Sequence, residues 1–314
     1  MSSPIRVETI TLGDELLLGI RENAHLTYLG NQLAHHGLEP SANLVIRDNP
    51  DDIKTFFQDS WKRSDLIITT GGLGPTTDDM TRENIAHVLG EELVFDPEVE
   101  ISLKERFSQL GRAMPDINLK QCYRPESSEI LKNPYGTAPG LWLKKDDKIL
   151  VMLPGPSREM HPMFEEQVVP RLQKEGIFPE IDCYLQIRTA GIGESAVAEK
   201  IEHLLKGRDA LLVGYCAHAG MVDVRLSSLD AEVLSEQTLH DIADACREAL
   251  EEDFVCLGDR TLAEVIFREL RNLDKTLAVA ESCTGGLLSS SFTEIAGISK
   301  VFHGGAVCYH NDAK

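Results

Sequence analysis

The sequence predicts an α/β chain: an N-terminal doubly wound, mostly parallel sheet, then a small α+β module and part of a third α/β unit. Three observations carry this. Short β-branched apolar runs alternate with helical patterns over the first 175 residues, the order that builds parallel sheets with right-handed crossovers. Glycine-rich turns follow several of those runs and open the next helix, the arrangement that binds ligands at the carboxyl edge of such sheets. Length is the third: 314 residues is enough for two domains and part of another.

The elements follow in order. Ile5 to Leu12 is a first strand, and Gly13-Asp14-Glu15 turns out of it. Asn23 caps a helix running through His35, with Leu26, Leu29, Leu33 and Ala34 on one face and Gly37 as its stop. Ala42 to Ile46 is a second strand. Asp48-Asn49-Pro50 opens a helix with Ile53, Phe56, Phe57 and Trp61 inward. Asp65 to Thr70 is a buried strand that runs into Gly71-Gly72-Leu73-Gly74-Pro75, then Thr76, Thr77, Asp78, Asp79 and a helix closed by Gly90.

That loop is the centre of the reading. Glycines let the backbone approach a ligand, and helix-start N–H groups attract phosphate oxygens. Two aspartates there repel a bare anion, and a divalent cation removes the conflict. Capping of the helix explains one aspartate and leaves the glycine-proline loop without a purpose. The topology puts Gly13–Glu15 at the same sheet edge, so Asp14, Glu15, Asp78 and Asp79 could surround one cation.

Further on, a helix covers Asp96 to Gly111 (Val99, Leu103, Phe107, Leu110), and Asn133 to Gly140 is a second loop rich in glycine and proline. Residues 141–144 and 149–153 form a hairpin. Pro154 to Glu159 is a third strand-to-helix turn, leading into Met160, Met163, Phe164, Val168 and Leu172, with Arg158 as a phosphate contact. Gly176 to Pro179 reads as a linker. A small module follows: strand 183–188, helix 194–205, strands 211–215 and 221–228, and helix 230–251. Gly191-Ile192-Gly193-Glu194 is similar to the G-x-x-G loop of KH domains, but Glu194 and an acidic setting oppose RNA binding, so the module is expected to act as a spacer. The third unit has a helix at 261–273, a strand at 276–280, the turn Glu281 to Gly286, a helix from Leu287 and an apolar stretch at 299–309. So short a unit is hard pressed to bury a core. It reads as truncated, with Leu277, Val279, Val301 and Val307 left exposed.

Composition narrows the partners. The net charge of -20 repels nucleic acid and anionic membranes. No apolar run approaches the ~20 residues of a membrane helix, and no signal-peptide pattern opens the chain, so a cytoplasmic location is expected. Seven dispersed cysteines without C-x-x-C or zinc spacing read as reduced thiols.

Five motifs, GDELLLG (13–19), TGGLGPTTDD (70–79), NPYGTAPG (133–140), MLPGPSREM (152–160) and AESCTGG (280–286), resemble those of the CinA family of competence/damage-inducible proteins, in the same order and across the whole chain. The resemblance implies a molybdopterin-binding-like (MogA/MoaB) domain at 1–175, a KH-like domain at 180–256 and the beginning of a nicotinamide mononucleotide (NMN) deamidase domain at 258–314. It also implies a metal-dependent ADP-ribose pyrophosphatase and, in the last domain, conversion of NMN to nicotinate mononucleotide and ammonia. Family chains run on past Lys314. The first loop of the family often reads Gly-Thr-Glu, where Asp14 here adds a carboxylate. Of a common Asn-Thr-Asn run only Asn23 remains before Ala24.

For the first site, Asp78 and Asp79 are the expected catalytic residues and metal ligands, assisted by Glu15 and Asp14. Gly71, Gly72, Gly74, Thr76, Thr77, Asn23, Tyr135, Gly136 and Arg158 are expected to bind substrate. The same pocket could instead hold a pterin or adenylyl group. For the second site, Ser282 on its strand-to-helix turn is the nucleophile, and N–H groups of the following helix hold the oxyanion. By resemblance Tyr309 and Lys314 complete it, with Thr284, Gly285 and Asn311 on the substrate; simple capping by Ser282 and Thr284 is the rival explanation. The expected cofactor is a divalent metal cation. The expected partners are the small nucleotides ADP-ribose and NMN and a second copy in a homodimer, with no nucleic acid and no membrane. A non-catalytic binding protein tied to competence or DNA damage is the alternative function.

Overall fold

Strand and helix alternate through the first part of the computed structural model, which describes residues 5–178, 184–228 and 233–313. The chain divides into two compact units, Met1–Asp182 and Cys183–Lys314. In the first, β1 (Val7–Leu12) passes through a one-turn helix α1 (Asp14–Leu17) to α2 (Ala24–His35). Then come β2 (Pro40–Ile46), α3 (Pro50–Arg63), β3 (Leu66–Thr70) and α4 (Thr81–Leu89). Caps form where the sequence places them: Asn23 accepts from Leu26 N–H at 3.2 Å and Asn49 from Asp52 N–H at 2.9 Å. The chain continues through β4 (Leu93–Phe95), α5 (Pro97–Gln109), a 3-10 turn at Asp116–Cys122, β5 (Tyr123–Pro125) and β6 (Glu129–Leu131). The hairpin β7 (Gly140–Lys145) and β8 (Lys148–Leu153) leads to α6 (Ser157–Met163) and α7 (Val169–Lys174), joined by a π-helical turn, Phe164–Val168.

Six strands make one sheet in the order β2-β1-β3-β8-β7-β6. The first four are mutually parallel, β7 is antiparallel to β8, and β6, antiparallel to β7, runs again with the first four. Helices cover both faces, which is why β3 reads as an unbroken apolar run. Leu66 and Ile68 pack with Leu29, Leu33, Met160 and Phe164 on one side, and Ile67 packs with Ile53, Phe57 and Ile85 on the other. At the outer edge the Gln167 side chain accepts from Lys132 N–H at 2.8 Å and donates to its carbonyl at 2.7 Å.

Several expectations are corrected. The short strands β4, β5 and β6 carry too few residues to show a period. Phe56 (41% exposed) and Leu110 (61%) face outward rather than into the core. Ile177 and Phe178 are not linker: Phe178 is buried against the core beside His36 and Ile177 packs onto the same cluster.

The second unit holds β9 (Tyr184–Ala190), α8 (Glu194–Leu205), β10 (Leu211–His218), β11 (Met221–Ser228), α9 (Glu236–Leu250) and β12 (Phe254–Leu257). Their antiparallel sheet runs β10-β11-β9-β12, and β12 is a strand that the sequence pattern missed. Then α10 (Leu262–Asn272), β13 (Leu277–Glu281), α11 (Leu287–Thr293) and β14 (Phe302–Val307) follow, with β13 and β14 paired in parallel. Val307 is exposed as expected, whereas Val301 is buried with Phe292 and Ile298. Cys122, Cys246 and Cys256 are buried free thiols.

A carboxylate lies buried inside the first sheet. Glu8 on β1 is fully buried, and Arg63 reaches it with Nε at 2.6 Å and a second nitrogen at 2.7 Å, while Ser60 donates at 2.8 Å. Burial pushes the Glu8 carboxyl up, but the hydrogen bonds of Arg63 and Ser60 and the Arg63 charge outweigh it, so its pKa is lowered. A carboxyl lowered in the fold adds stability above its unfolded value, and that stability is lost as pH falls through the folded value. Arg63→Met, which leaves a buried carboxylate short of partners, is therefore expected to cost about 3 kcal/mol in urea unfolding at pH 7. The deficit should shrink as the pH is lowered and Glu8 becomes protonated.

Candidate active site

The parallel strands end together. Leu12 lies opposite Ile46, Thr11 opposite Thr70, and Thr70 opposite Leu153, so the loops after β1, β2, β3 and β8 leave one edge of the sheet. They enclose a cavity of about 340 Å³ lined by Glu15, Asp48, Asp78, Asp79 and Glu159, by the Gly71–Gly74 backbone, and by Pro154, Gly155 and Thr137 among others. Gly71 is essential to this closeness: its φ is +98°, and a Cβ would stand 2.7 Å from the Leu12 carbonyl.

Of the expected residues, Glu15, Gly71, Gly72, Gly74, Asp78 and Asp79 line the cavity. Asp14 does not, but its backbone N–H bonds to the Asp48 carboxylate. Thr76 donates its N–H to Asp79 Oδ2 at 2.9 Å and its hydroxyl to the same oxygen, closing the loop on itself. The Thr76 hydroxyl also reaches Asp78, which it holds below the usual carboxylate range with help from Lys120. A hydroxyl has one proton, so it serves one of the two aspartates at a time. Neither Thr76 nor Thr77 is on the lining. Asn23 is the α2 cap and bonds to Thr11 and Asn43, away from the lining. Arg158 is 80% exposed, with its Nε 3.8 Å from the neighbouring Glu159. Tyr135 is exposed at the tip of its loop, and Gly136 lies against Glu159, where a Cβ would collide with the carboxylate.

The structure adds residues that sequence reasoning passed over. Asp48 stands at the end of β2, as Gly13 does at the end of β1; the rule applied to the other strand ends would have found it. Burial, with Asp14, Glu15 and Asp78 nearby, pushes the Asp48 carboxyl up to about 6. Glu159 is buried and held by Asn133 at 2.8 Å. Lys120 donates to the carbonyls of Thr76 (2.9 Å) and Asp79, pinning the aspartate loop from outside. His25 Nδ1 lies 2.9 Å from Thr70 Oγ1, and the ring also bonds the Gly155 backbone. Burial lowers its pKa, so the imidazole ties β3 to the 154–156 loop in its neutral form.

In the second unit, Glu281 pairs with Val307, so the segments carrying Ser282 and Tyr309 leave one edge of the β13–β14 pair. Ser282 is half-buried; Thr284, Gly285, Tyr309 and Asn311 are exposed, and Lys314 lies outside the described residues. Contrary to the expectation from sequence, the amides that open this helix are not free for an oxyanion. Gly286, Leu288 and Ser289 donate theirs to the Glu281 carboxylate at 3.1, 2.9 and 2.9 Å. Capping by Ser282 or Thr284 is overturned too: Gly286 is the cap residue and Glu281 supplies the acceptor.

Three family models cover the chain in series. The probable molybdopterin binding domain matches residues 8–174, the damage-inducible protein CinA KH domain 186–255, and the CinA C-terminal domain 259–314. A CinA-like protein of Kosmotoga olearia is 39% identical over 314 residues, 99% of this chain and 75% of its own length. The chain belongs to the CinA family. A second CinA-like protein, from Trichormus variabilis, is 40% identical over 98% of this chain and 74% of its own. The solved CinA structure from Thermoplasma acidophilum is 33% identical, with a TM-score of 0.50, over 55% of this chain and 99% of that one.

Within this CinA chain no helix of the described residues is long and apolar enough to cross a membrane. Nor do three or more His, Cys, Asp or Glu side chains among the described residues stand close enough to hold a metal by themselves. The carboxylate set fits a cation that completes its shell with ligand oxygens, as Mg²⁺ does with one or two carboxylates and substrate phosphates.

Two outcomes follow from these electrostatics. A carboxyl raised in the fold contributes stability below its unfolded value of about 3.9 and loses it as pH rises through its folded value. With the cavity carboxylates free of cations in chelator, Asp48→Asn should therefore raise stability at pH 7.5 by about 1 kcal/mol, a value reduced for half exposure. That gain should vanish at pH 4 in urea titrations. Glu281, held down to about 2 by the Ser289 hydroxyl and the helix amides despite burial, works in the opposite sense. Its hold on α11 persists above its unfolded value and is lost only as pH falls through about 2. Glu281→Ala should accordingly speed amide exchange at Leu288 and Ser289 at neutral pH.

Proposed function

We propose that the N-terminal domain of this chain is a divalent-cation-dependent hydrolase that splits ADP-ribose into AMP and ribose 5-phosphate. One observation carries the reading. The cavity at the sheet edge is lined by five carboxylates, Glu15, Asp48, Asp78, Asp79 and Glu159, and by no lysine or arginine among the described residues, yet its walls are glycine backbone suited to phosphate. An anion enters such a pocket together with a cation. Glu15 and Asp78 would hold that cation, with Asp79 shaping the loop and Asp14 adjoining; when bound it neutralises charge on the phosphate oxygens. The backbone of Gly71, Gly72 and Gly74 lies against the pyrophosphate, and the remaining carboxylates orient the attacking water. Water adds to one phosphorus, the bridging P–O bond breaks, and each half leaves as a monophosphate.

In the last domain, Ser282 and Tyr309 at one strand edge support the NMN amidohydrolase reading, with Ser282 as nucleophile and Lys314 its companion. The oxyanion must then be met by groups other than the Gly286, Leu288 and Ser289 amides.

Incubation of the chain with ADP-ribose and Mg²⁺ or Mn²⁺ should release AMP, and chelation should stop it. Asp78→Asn is expected to slow turnover about a hundredfold with an unchanged melting curve. Absence of AMP release with every divalent cation tried, alongside saturable pterin binding, would favour the molybdopterin-type use of the pocket instead.

A further inference from the structure

The sheet of the second unit ends on β10, whose outer side pairs with no strand among the described residues. Its eight residues, Leu211–His218, include no Asp, Glu, Lys, Arg or Pro. It pairs with β11 without a register break from Leu211↔Ser228 to His218↔Met221, so no bulge twists the rim away. Such a rim offers a row of open N–H and C=O groups, which proteins ordinarily blunt with charge, proline, bulges or shortness. The other outer strands of the two larger sheets are blunted in those ways. β12 has four residues and a register shift, and β6 has three residues with the Gln167 clamp beyond them. β2 opens on Pro40 and pairs irregularly at that end. β10 alone of the four is long, regular and uncharged. Its apolar side chains are also left unfinished: Leu211, Val213 and Tyr215 pack only half-buried against the core of Val197, Ile201, Val224 and Leu226.

We infer that β10 is an interface with a second copy of this chain, paired antiparallel across a two-fold axis near Gly214 and Tyr215, so that the two sheets become one. An antiparallel strand is its own complement under such an axis, because the donors of one rim meet the acceptors of the other in both directions. The axis stands perpendicular to the sheet and keeps both helix layers on one face. Leu211, Val213 and Tyr215 of each copy then flank those of the other, and the two cores continue across the join. Charge selects this occupant. At -20, two copies repel over most of their surfaces and approach best at a rim without carboxylates. The charges just behind the rim are of opposite sign: Arg225 lies opposite Gly214, and Asp223, opposite Cys216, is already held by Arg188 at 2.8 Å. A nucleic acid is repelled by the net charge, and a basic peptide finds no carboxylate on the strand to hold it.

Sedimentation of the full chain over a range of concentrations reads the association, and the parent should dimerise at micromolar concentration. Gly214 sits beside the axis with space for a side chain, since an added Cβ meets only the Arg225 Cβ, at 3.9 Å. Gly214→Lys sets like charges within cross-strand reach and should weaken the dimer about fivefold. An equal mixture with Gly214→Glu should restore it. A second reading needs no variant: amide exchange at Leu211–His218 of the parent should slow as concentration rises, while exchange in the inner strand β9 stays constant. The interface is overturned by a parent chain that stays monomeric or by a dimer indifferent to Gly214→Lys. It is overturned equally by a loss that Gly214→Glu does not rescue, or by β10 amides that ignore concentration.

Discussion

Close approach of main chains at one sheet edge is the constraint on which the first domain depends. The loop after β3 runs beside the end of β1 so tightly that Gly71 has no space for a side chain, and Gly155 lies next to it on the other side, its missing Cβ 3.7 Å from the Gly71 Cα. That crowding brings carboxylates from four loops into one small volume. Burial first, and the neighbouring carboxylates after it, make the arrangement costly, and both raise the Asp48 carboxyl. His25 and Lys120 oppose that cost from outside the cavity, one tying β3 to the 154–156 loop and the other pinning the aspartate loop by its carbonyls. A pocket of this kind stores unfavourable charge.

Much of this was legible in the residues. The β3 run, the glycine loop and the αL stop at Gly90 each have a local physical cause, so the parallel sheet and the position of the pocket follow from them. Asp78, Asp79 and Glu15 were found because strand ends in parallel sheets share an edge. Asp48 escaped because Asp-Asn-Pro is also a good helix opening, and one local role concealed another. Arg158 was preferred to Glu159 on charge alone, whereas the helix turns Glu159 inward with Met160 and leaves Arg158 in solvent. Asn23 shows the reverse case: its cap was legible, whereas its assignment to the substrate had no local pattern behind it, and the side chain bonds Thr11 and Asn43 instead.

The C-terminal turn shows how an acidic side chain changes the meaning of a helix start. Ser282-Cys283-Thr284-Gly285-Gly286 looks like a ready anion cradle, but the residue before it, Glu281, folds back and takes the amides. No spacing rule distinguishes an amide offered to substrate from one satisfied by the chain itself. The sheet edge from which the segments carrying Ser282 and Tyr309 leave is fixed by strand pairing.

The Gln167 clamp on Lys132 has a consequence for assembly. A side-chain amide has the same donor and acceptor as a peptide unit, and here it bonds both main-chain groups of the residue just past β6. The outermost strand is three residues long, and beyond it the backbone is already paired by a counterfeit neighbour. The rim of the sheet on that side therefore gives an incoming chain little to zip onto. Copies of this domain that associate must meet through helices or loops, or at the opposite rim formed by β2, rather than by lengthening the sheet past β6.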